Sequence, residues 1–228
     1  MTVRFRSFVI AAIALVTAAG TAAAQETSST LLNSLEVRQL AARGEPDDKA
    51  RLPAHFYALA DQYASEAVRH QSMAQSAVGN PSRNLGSGMS AHCKRLAELN
   101  TQESTTVREL AAYHNKLAGG ESATPPPNAA RFHSGAGAPA PTDKQLAELA
   151  AKARTPADHH ALEEYFRTLA GRYAADAKEH DAFAASLRGT RIEQAAPIHS
   201  HLAELSRDAA KEANAAADMH KQLANVAQ

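Results

Sequence analysis

The sequence predicts an all-α protein: a duplicated antiparallel helical hairpin, four long helices forming a bundle, and a short leading helix in each unit. Three observations predict it. Alanine makes up nearly a quarter of the 228 residues, aromatics are only 5%, and Trp is absent. Alanine loses no side-chain entropy in a helix, whereas the β-branched residues that fill sheets are few. Apolar residues recur at alternating steps of three and four, the spacing of one helix face. Finally, one pattern occurs twice along the chain, as duplication of a helical unit produces.

The elements follow in order. Arg4 and Arg6 precede an apolar run of twelve residues, Phe8 to Ala19, and then the small residues Gly20 to Ala24. That is the layout of a secretory signal peptide, with cleavage expected near Ala24. The run is shorter than the ~20 residues a membrane span needs. Residues 1–24 are therefore assigned as a signal, and the chain is expected in the periplasm or secreted.

Residues 31–118 form the first hairpin unit and 143–228 the second. Between them, 119–142 is a Pro/Gly/Ala-rich linker that sustains neither helix nor sheet. Gln39-Leu40-Ala41 returns as Gln145-Leu146-Ala147, and Phe56, Tyr63 and His70 return as Phe166, Tyr173 and His180. Leu96 to Leu99 and His114 return as Leu202 to Leu205 and His220. In the second unit Thr155 is a good N-cap, Pro156 suits the first turn, and Gly189 ends the helix. The last helix is expected from about Glu193 to Val226. In the first unit, Pro53 is expected to kink the helix or shift its start to Leu52. Gly79, Pro81, Gly86 and Gly88 are expected to form the loop.

Lys plus Arg equals Asp plus Glu at 24 each, so the formal net charge is zero. A nucleic-acid binder would need a basic excess to displace counterions from phosphates. No stretch beyond the signal could hold the chain stably in a bilayer. Dinucleotide, P-loop and nucleophile-elbow motifs are absent, so no catalytic residue is assigned and an enzyme is disfavoured.

The residues that invite a function are polar groups on the apolar stripe. His159, Phe166, Tyr173, His180 and Leu187 share one face with Leu162, Leu169, Asp176 and Phe183. In the first unit Glu66 and His70 hold the positions of Asp176 and His180. On the last helix, Ala195, Leu202, Ala209, Ala216 and Leu223 are placed on the seam with Ile198, Leu205, Glu212, Met219 and Val226, and His199 and His220 lie at its edge. Antiparallel geometry sets His180 level with His199, and His159 level with His220. In the first unit His70 is level with Cys93, and His114 lies opposite Lys49. With the two hairpins facing in parallel, one loop-end layer gathers His70, His92 or Cys93, His180 and His199, with Glu66 and Asp176 one turn away. Imidazole, thiolate and carboxylate on one face are ligand types for a transition metal such as Zn or Cu. His159, His220 and His114 form a weaker second layer. A structural polar layer explains the same placement, because a seam histidine can simply hydrogen-bond to the next helix. Cys93, the sole cysteine, is expected to be shielded at the seam edge and not to form a surface disulfide.

The segments TPADHHALEEYFRTLAGRYAADAKEH, MSAHCKRLAEL and HSHLAEL resemble a set of exported bacterial helical proteins built from a repeated hairpin, a set without an assigned function. The resemblance spans both units. It implies export, helicity and duplication, and it transfers no catalytic residue. The chain does not resemble the periplasmic stress-response chaperones, since no L-T-x-x-Q motif occurs.

Overall fold

The computed structural model describes residues 31–43, 46–80, 83–119 and 141–226. The expected signal segment, most of the expected linker and the side chain of Lys49 lie outside the described residues. Among the described residues the chain is all-helical, with six α-helices packed against one another and no strand. They are α1 (Ser34–Arg43), α2 (Pro46–Val78), α3 (Arg83–Leu117), α4 (Asp143–Lys152), α5 (Pro156–Leu187) and α6 (Ala196–Val226). A 3-10 turn, Glu193–Ala195, leads into α6. None of these helices is long and apolar enough to cross a membrane.

Local chemistry explains where helices begin and end. The Thr155 side chain accepts a hydrogen bond from the Asp158 backbone N–H, and the Asp158 carboxylate accepts one from the Thr155 N–H at 3.0 Å. This reciprocal box satisfies two donors that a helix start leaves open. Thr142 and Gln145 repeat it at α4. α5 stops at Leu187, and Gly189 follows at φ +73°, a left-handed conformation that glycine adopts without a Cβ clash.

Two expectations about the first half are corrected. α2 begins at Pro46 and runs through Pro53 instead of starting at Leu52. Pro53 removes one intrahelical donor, while the buried residues around it (Leu52, His55 and Phe56) anchor the helix through tertiary packing. α3 starts at Arg83, so Gly86 and Gly88 are helical and not part of the loop. Gly88 has a packing role: a Cβ there would stand 2.8 Å from the Met219 sulfur of α6.

α2 packs along α3, and α5 along α6. The two pairs meet chiefly where α3 lies on α6, while α4 and α1 cover α2. One apolar core draws on every helix, from Val37 and Leu40 through Phe56, Leu96 and Leu146 to Phe166 and Leu202. Cross-contacts fix the running direction. Along α3, Gly88, His92 and Glu103 meet Met219, Glu212 and Ser206 of α6 in reverse order. Along α2, His55, Glu66 and His70 are neighboured by His180, Arg172 and Tyr165 of α5, again in reverse. The α2–α3 connection and the α5–α6 connection therefore lie at opposite ends of the molecule. This corrects the parallel orientation on which the expected histidine layer depended.

The seam of α6 keeps its expected row of Ala195, Leu202, Ala209 and Ala216, all buried, but it is wider than expected on the side of the edge histidines and stops short of the last residues. His199 and His220 are buried at 2% and 0% exposure, whereas Val226 is 84% exposed. α6 packs against α5 and α3 together, so its buried face centres on the Leu202, Ser206, Ala209, Ala213 and Ala216 row.

Replacing fully buried Phe166 by Ala should cost about 3–5 kcal/mol. Thermal denaturation should record this as a fall of about 10 °C for a chain of this size. Thr155→Ala should cost about 1 kcal/mol, and Leu35→Ala, at an exposed site, less than about 0.5 kcal/mol.

Candidate functional site

Three polar layers cross the core. The first lies at the end where α5 turns into α6. His180 on α5 and His199 on α6 place their Nδ1 atoms 3.2 Å apart. His55 from α2 and His114 from α3 join them, close enough that their charges act on His199. Each long helix thus contributes one imidazole. The His55 Nδ1 accepts the Leu32 backbone N–H at 3.1 Å, so His55 carries its proton on Nε2. Phenylalanines enclose the group: Phe183 stacks on His199 at 5.0 Å, and Phe56 on His114 at 5.2 Å.

At the opposite end His159 and His220 pair in the same way, Nδ1 to Nδ1 at 3.4 Å, with Phe166 stacked on His220 at 5.8 Å. The His92 Nδ1 sits 2.6 Å from Glu212 Oε1, joining α3 to α6.

The ring geometry decides what these pairs are. Ring centroids are 5.4 and 5.6 Å apart, against nitrogen separations of 3.2 and 3.4 Å. In both pairs the difference is 2.2 Å, about twice the radius of an imidazole ring. The two nitrogens therefore lie on the line joining the ring centres and point head-on at each other. That is the geometry of one N–H···N hydrogen bond between opposite tautomers. Two ligands of a tetrahedral ion would instead converge at an angle, drawing the centroids closer. The buried Nε2 of His220 has no partner. An unmet lone pair there is less costly than an unmet N–H, so His220 donates from Nδ1 and His159 accepts.

The middle layer is acidic. Glu66 on α2 is 5% exposed and holds Arg172 of α5 at 3.0 Å and Arg69 at 2.7 Å. Arg69 continues to Asp143 of α4 at 2.6 Å. Burial raises the Glu66 pKa, but the two guanidiniums outweigh it and hold the carboxyl below its usual range. Glu103 on α3 is fully buried, accepting a hydrogen bond from Ser206 at 2.8 Å. Burial pushes its pKa up to about 8, partly offset by Ser206, so it is protonated at neutral pH. Asn100 donates to the Tyr173 hydroxyl at 2.6 Å.

The structure therefore divides the expected metal set. His180 and His199 meet, as do His159 and His220. His70 does not join them: it lies against Tyr165 of α5, fifteen residues from His180, or about 22 Å along the helix. Cys93 is a free thiol at 0% exposure, and burial followed by Glu212 raises its pKa to about 12. Glu66 is occupied by arginines, and the charges acting on Asp176 are Arg172, Glu179 and Glu66. His114 stacks on Phe56 at the first end. Among the described residues no group of three or more His, Cys, Asp or Glu is arranged to hold a metal ion.

Sequence reasoning missed His55, Asn100, Glu103, Arg172 and Ser206. The signal for two of them was readable. Leu96, Asn100, Glu103, Val107, Leu110 and His114 form a stripe at steps of three and four on α3, with polar residues at apolar positions. His55 carried no such signal, since the segment before α1 covers it.

No known protein family matches the chain, and neither a curated protein nor a solved structure matches it.

Burial makes stability depend on pH. It lowers the pKa of His55, His70, His114 and His180 to about 4 and that of His199 and His220 to about 3, and it moves His159 in the same direction. Unfolded, each titrates near 6.5. Their contribution is fully present above that value and is lost as pH falls toward 4, by up to about 1.4 kcal/mol per pH unit for each. Glu103 has the opposite sign. It favours folding while protonated in both states, and that contribution is lost as pH rises from about 4.5 to about 8. Urea unfolding across pH should show maximum stability at about pH 7–7.5, where the imidazoles have lost their protons even in the unfolded chain, with a steep acid limb and a shallow alkaline one. Glu103→Gln should flatten the alkaline limb alone.

Proposed function

We propose that the chain is an exported, non-catalytic helical module of the cell envelope, serving structure or protein interaction, whose histidines form core polar layers. The hairpin units 31–118 and 143–228 arose by duplication and close into one four-helix bundle. The observation that carries this reading is the head-on hydrogen bonding of His180 with His199 and of His159 with His220. Each bond uses the polar nitrogens to join two helices, and the flanking phenylalanines keep both rings dry and neutral. A substrate site would need an approachable reactive group, whereas His199 and His220 are buried at 2% and 0% exposure.

Duplication has its own support. Phe56 on His114 and Phe166 on His220 are equivalent ring stacks, with interplanar angles of 21° and 6°. The neighbouring ring pairs His55–Phe56 and Tyr165–Phe166 have centroids 5.0 and 5.1 Å apart. The signal-like residues 1–24 support export.

A double-mutant cycle tests the structural role. His199→Ala alone strands the His180 nitrogen and should cost about 1–3 kcal/mol or more. His180→Phe combined with His199→Leu removes both polar partners and should be nearly neutral at pH 7, with a shallower acid limb. An equally large loss in the double variant would reject the layer as a mere structural element. Cell fractionation with N-terminal sequencing tests export, with Gln25 the expected first residue of the mature chain.

A further inference from the structure

α1 and the residues before it lie against α2, beside the layer of four imidazoles. The contacts that hold them there are few. The Leu32 backbone N–H donates to the His55 Nδ1 at 3.1 Å. The Arg38 guanidinium stands 6.0 Å from the centroid of the Phe183 ring, and Phe183 stacks on His199. Val37 and Leu40 are buried, at 3% and 4% exposure. The start of α1 is closed by its own reciprocal box. The Asn33 Oδ1 accepts the Glu36 backbone N–H at 2.9 Å, and the Glu36 carboxylate accepts the Asn33 N–H at 2.8 Å. Asn33 is the cap, so the N–H of Leu32 lies outside the helix and His55 is its partner.

A helix of ten residues does not persist alone in water, so α1 keeps its place through this docking. The four long helices, of 31 to 35 residues, bury one another along their whole length. Segments with few buried contacts open at lower free energy than the core does. The bond to Leu32 also depends on protonation. It uses the lone pair of the His55 Nδ1, and a proton taken there from solvent replaces that lone pair with an N–H. Two donors then face each other, and the bond is lost. No group around His55 compensates the charge. His180 of α5 and His114 of α3 act on it as further imidazoles, and His199 of α6 completes the layer. Arg38 of α1 adds a cation at Phe183, and Glu36 is engaged in the cap. The carboxylate of Asp181 acts on His180 and is bonded to Arg207.

We propose that α1 with residues 31–33 is an acid-released lid over the layer of His55, His114, His180 and His199, opened by one proton on the His55 Nδ1 before the long helices part. Opening bares the part of α2 that Val37 and Leu40 cover and admits water to His55. In water the His55 pKa returns from about 4 to about 6.5. The preference for the closed form is complete above about pH 7.5 and is lost as pH falls through 6.5 toward 4. The ratio of open to closed lids should therefore rise about tenfold between pH 7.5 and 5.5.

Hydrogen exchange on the full chain, read by mass spectrometry and corrected for the pH dependence of the chemical step, tests the lid. In the unaltered chain the amides of α1 should lose about tenfold in protection from pH 7.5 to 5.5, and at each pH they should exchange faster than those of α5 and α6. His55→Asn sets an amide oxygen near the place of Nδ1, which accepts the Leu32 N–H and takes no proton, so it should keep α1 docked and abolish the tenfold change. Glu36→Gln keeps an acceptor for the cap and should leave that change intact. Protection of α1 that stays flat across this range in the unaltered chain overturns the proposal. So does protection of α1 equal to that of α5 and α6 at every pH, which would make α1 part of the global unit. Neither result needs a variant. A tenfold change that survives His55→Asn, or that vanishes in Glu36→Gln, overturns the assignment to His55.

Discussion

Two helices, α3 and α6, meet across the middle of the molecule, and the direction in which they run decides which polar groups share a layer. The buried face of α6 is mostly alanine, and Gly88 lets α3 come within reach of Met219. Small side chains permit close approach, and the polar groups along the two helices then select the register. Because the two helices are antiparallel, Glu103 faces Ser206 and His92 faces Glu212. The same direction carries His55 and His114 to the His180–His199 pair, and leaves His70 beside Tyr165. The polar contacts that join the two halves of the core are a consequence of that one packing choice.

The layers differ in how they are kept from destabilising the fold. The imidazole pairs stay neutral, because phenylalanine rings and helix backbones exclude the water that would favour a charge. Glu66 stays charged because two guanidiniums reach it from α2 and α5. Glu103 takes a third course and keeps its proton. Buried ion pairs and hydrogen-bonded polar groups add little net stability over a well-packed apolar core. What they contribute is discrimination, since any other register would leave a donor, an acceptor or a charge unmatched. Alanine-rich seams need such discrimination, because small uniform side chains fit one another in several registers.

Helicity was readable because alanine content and the three–four spacing act within a single helix. The Thr155 cap and the Gly189 stop act over a few residues, and both stand where the sequence placed them. The matched levels of His180 with His199 and of His159 with His220 were readable too, since a short connection lets residues be counted outward from it. The start of α2 was misjudged because Pro53 reads as a local break, whereas the packing of Leu52, His55 and Phe56 holds the helix through it. Gly88 misled for the same reason: its use is tertiary, against Met219 of α6.

The sequence by itself determined the helical class, the caps, the apolar stripes and which histidines pair across the α5–α6 connection. Each of these depends on spacing along one helix or across one short turn. Only the tertiary structure decided how the two halves face each other, because the linker between them imposes no direction. It therefore decided that His70 and Cys93 part from His180 and His199, that Glu66 is claimed by Arg172, and that α6 turns His199 and His220 into the core. Those outcomes depend on contacts between residues some seventy to one hundred and twenty apart, such as Asn100 with Tyr173 and His92 with Glu212. The free energy of such contacts exists only once the apolar faces have met.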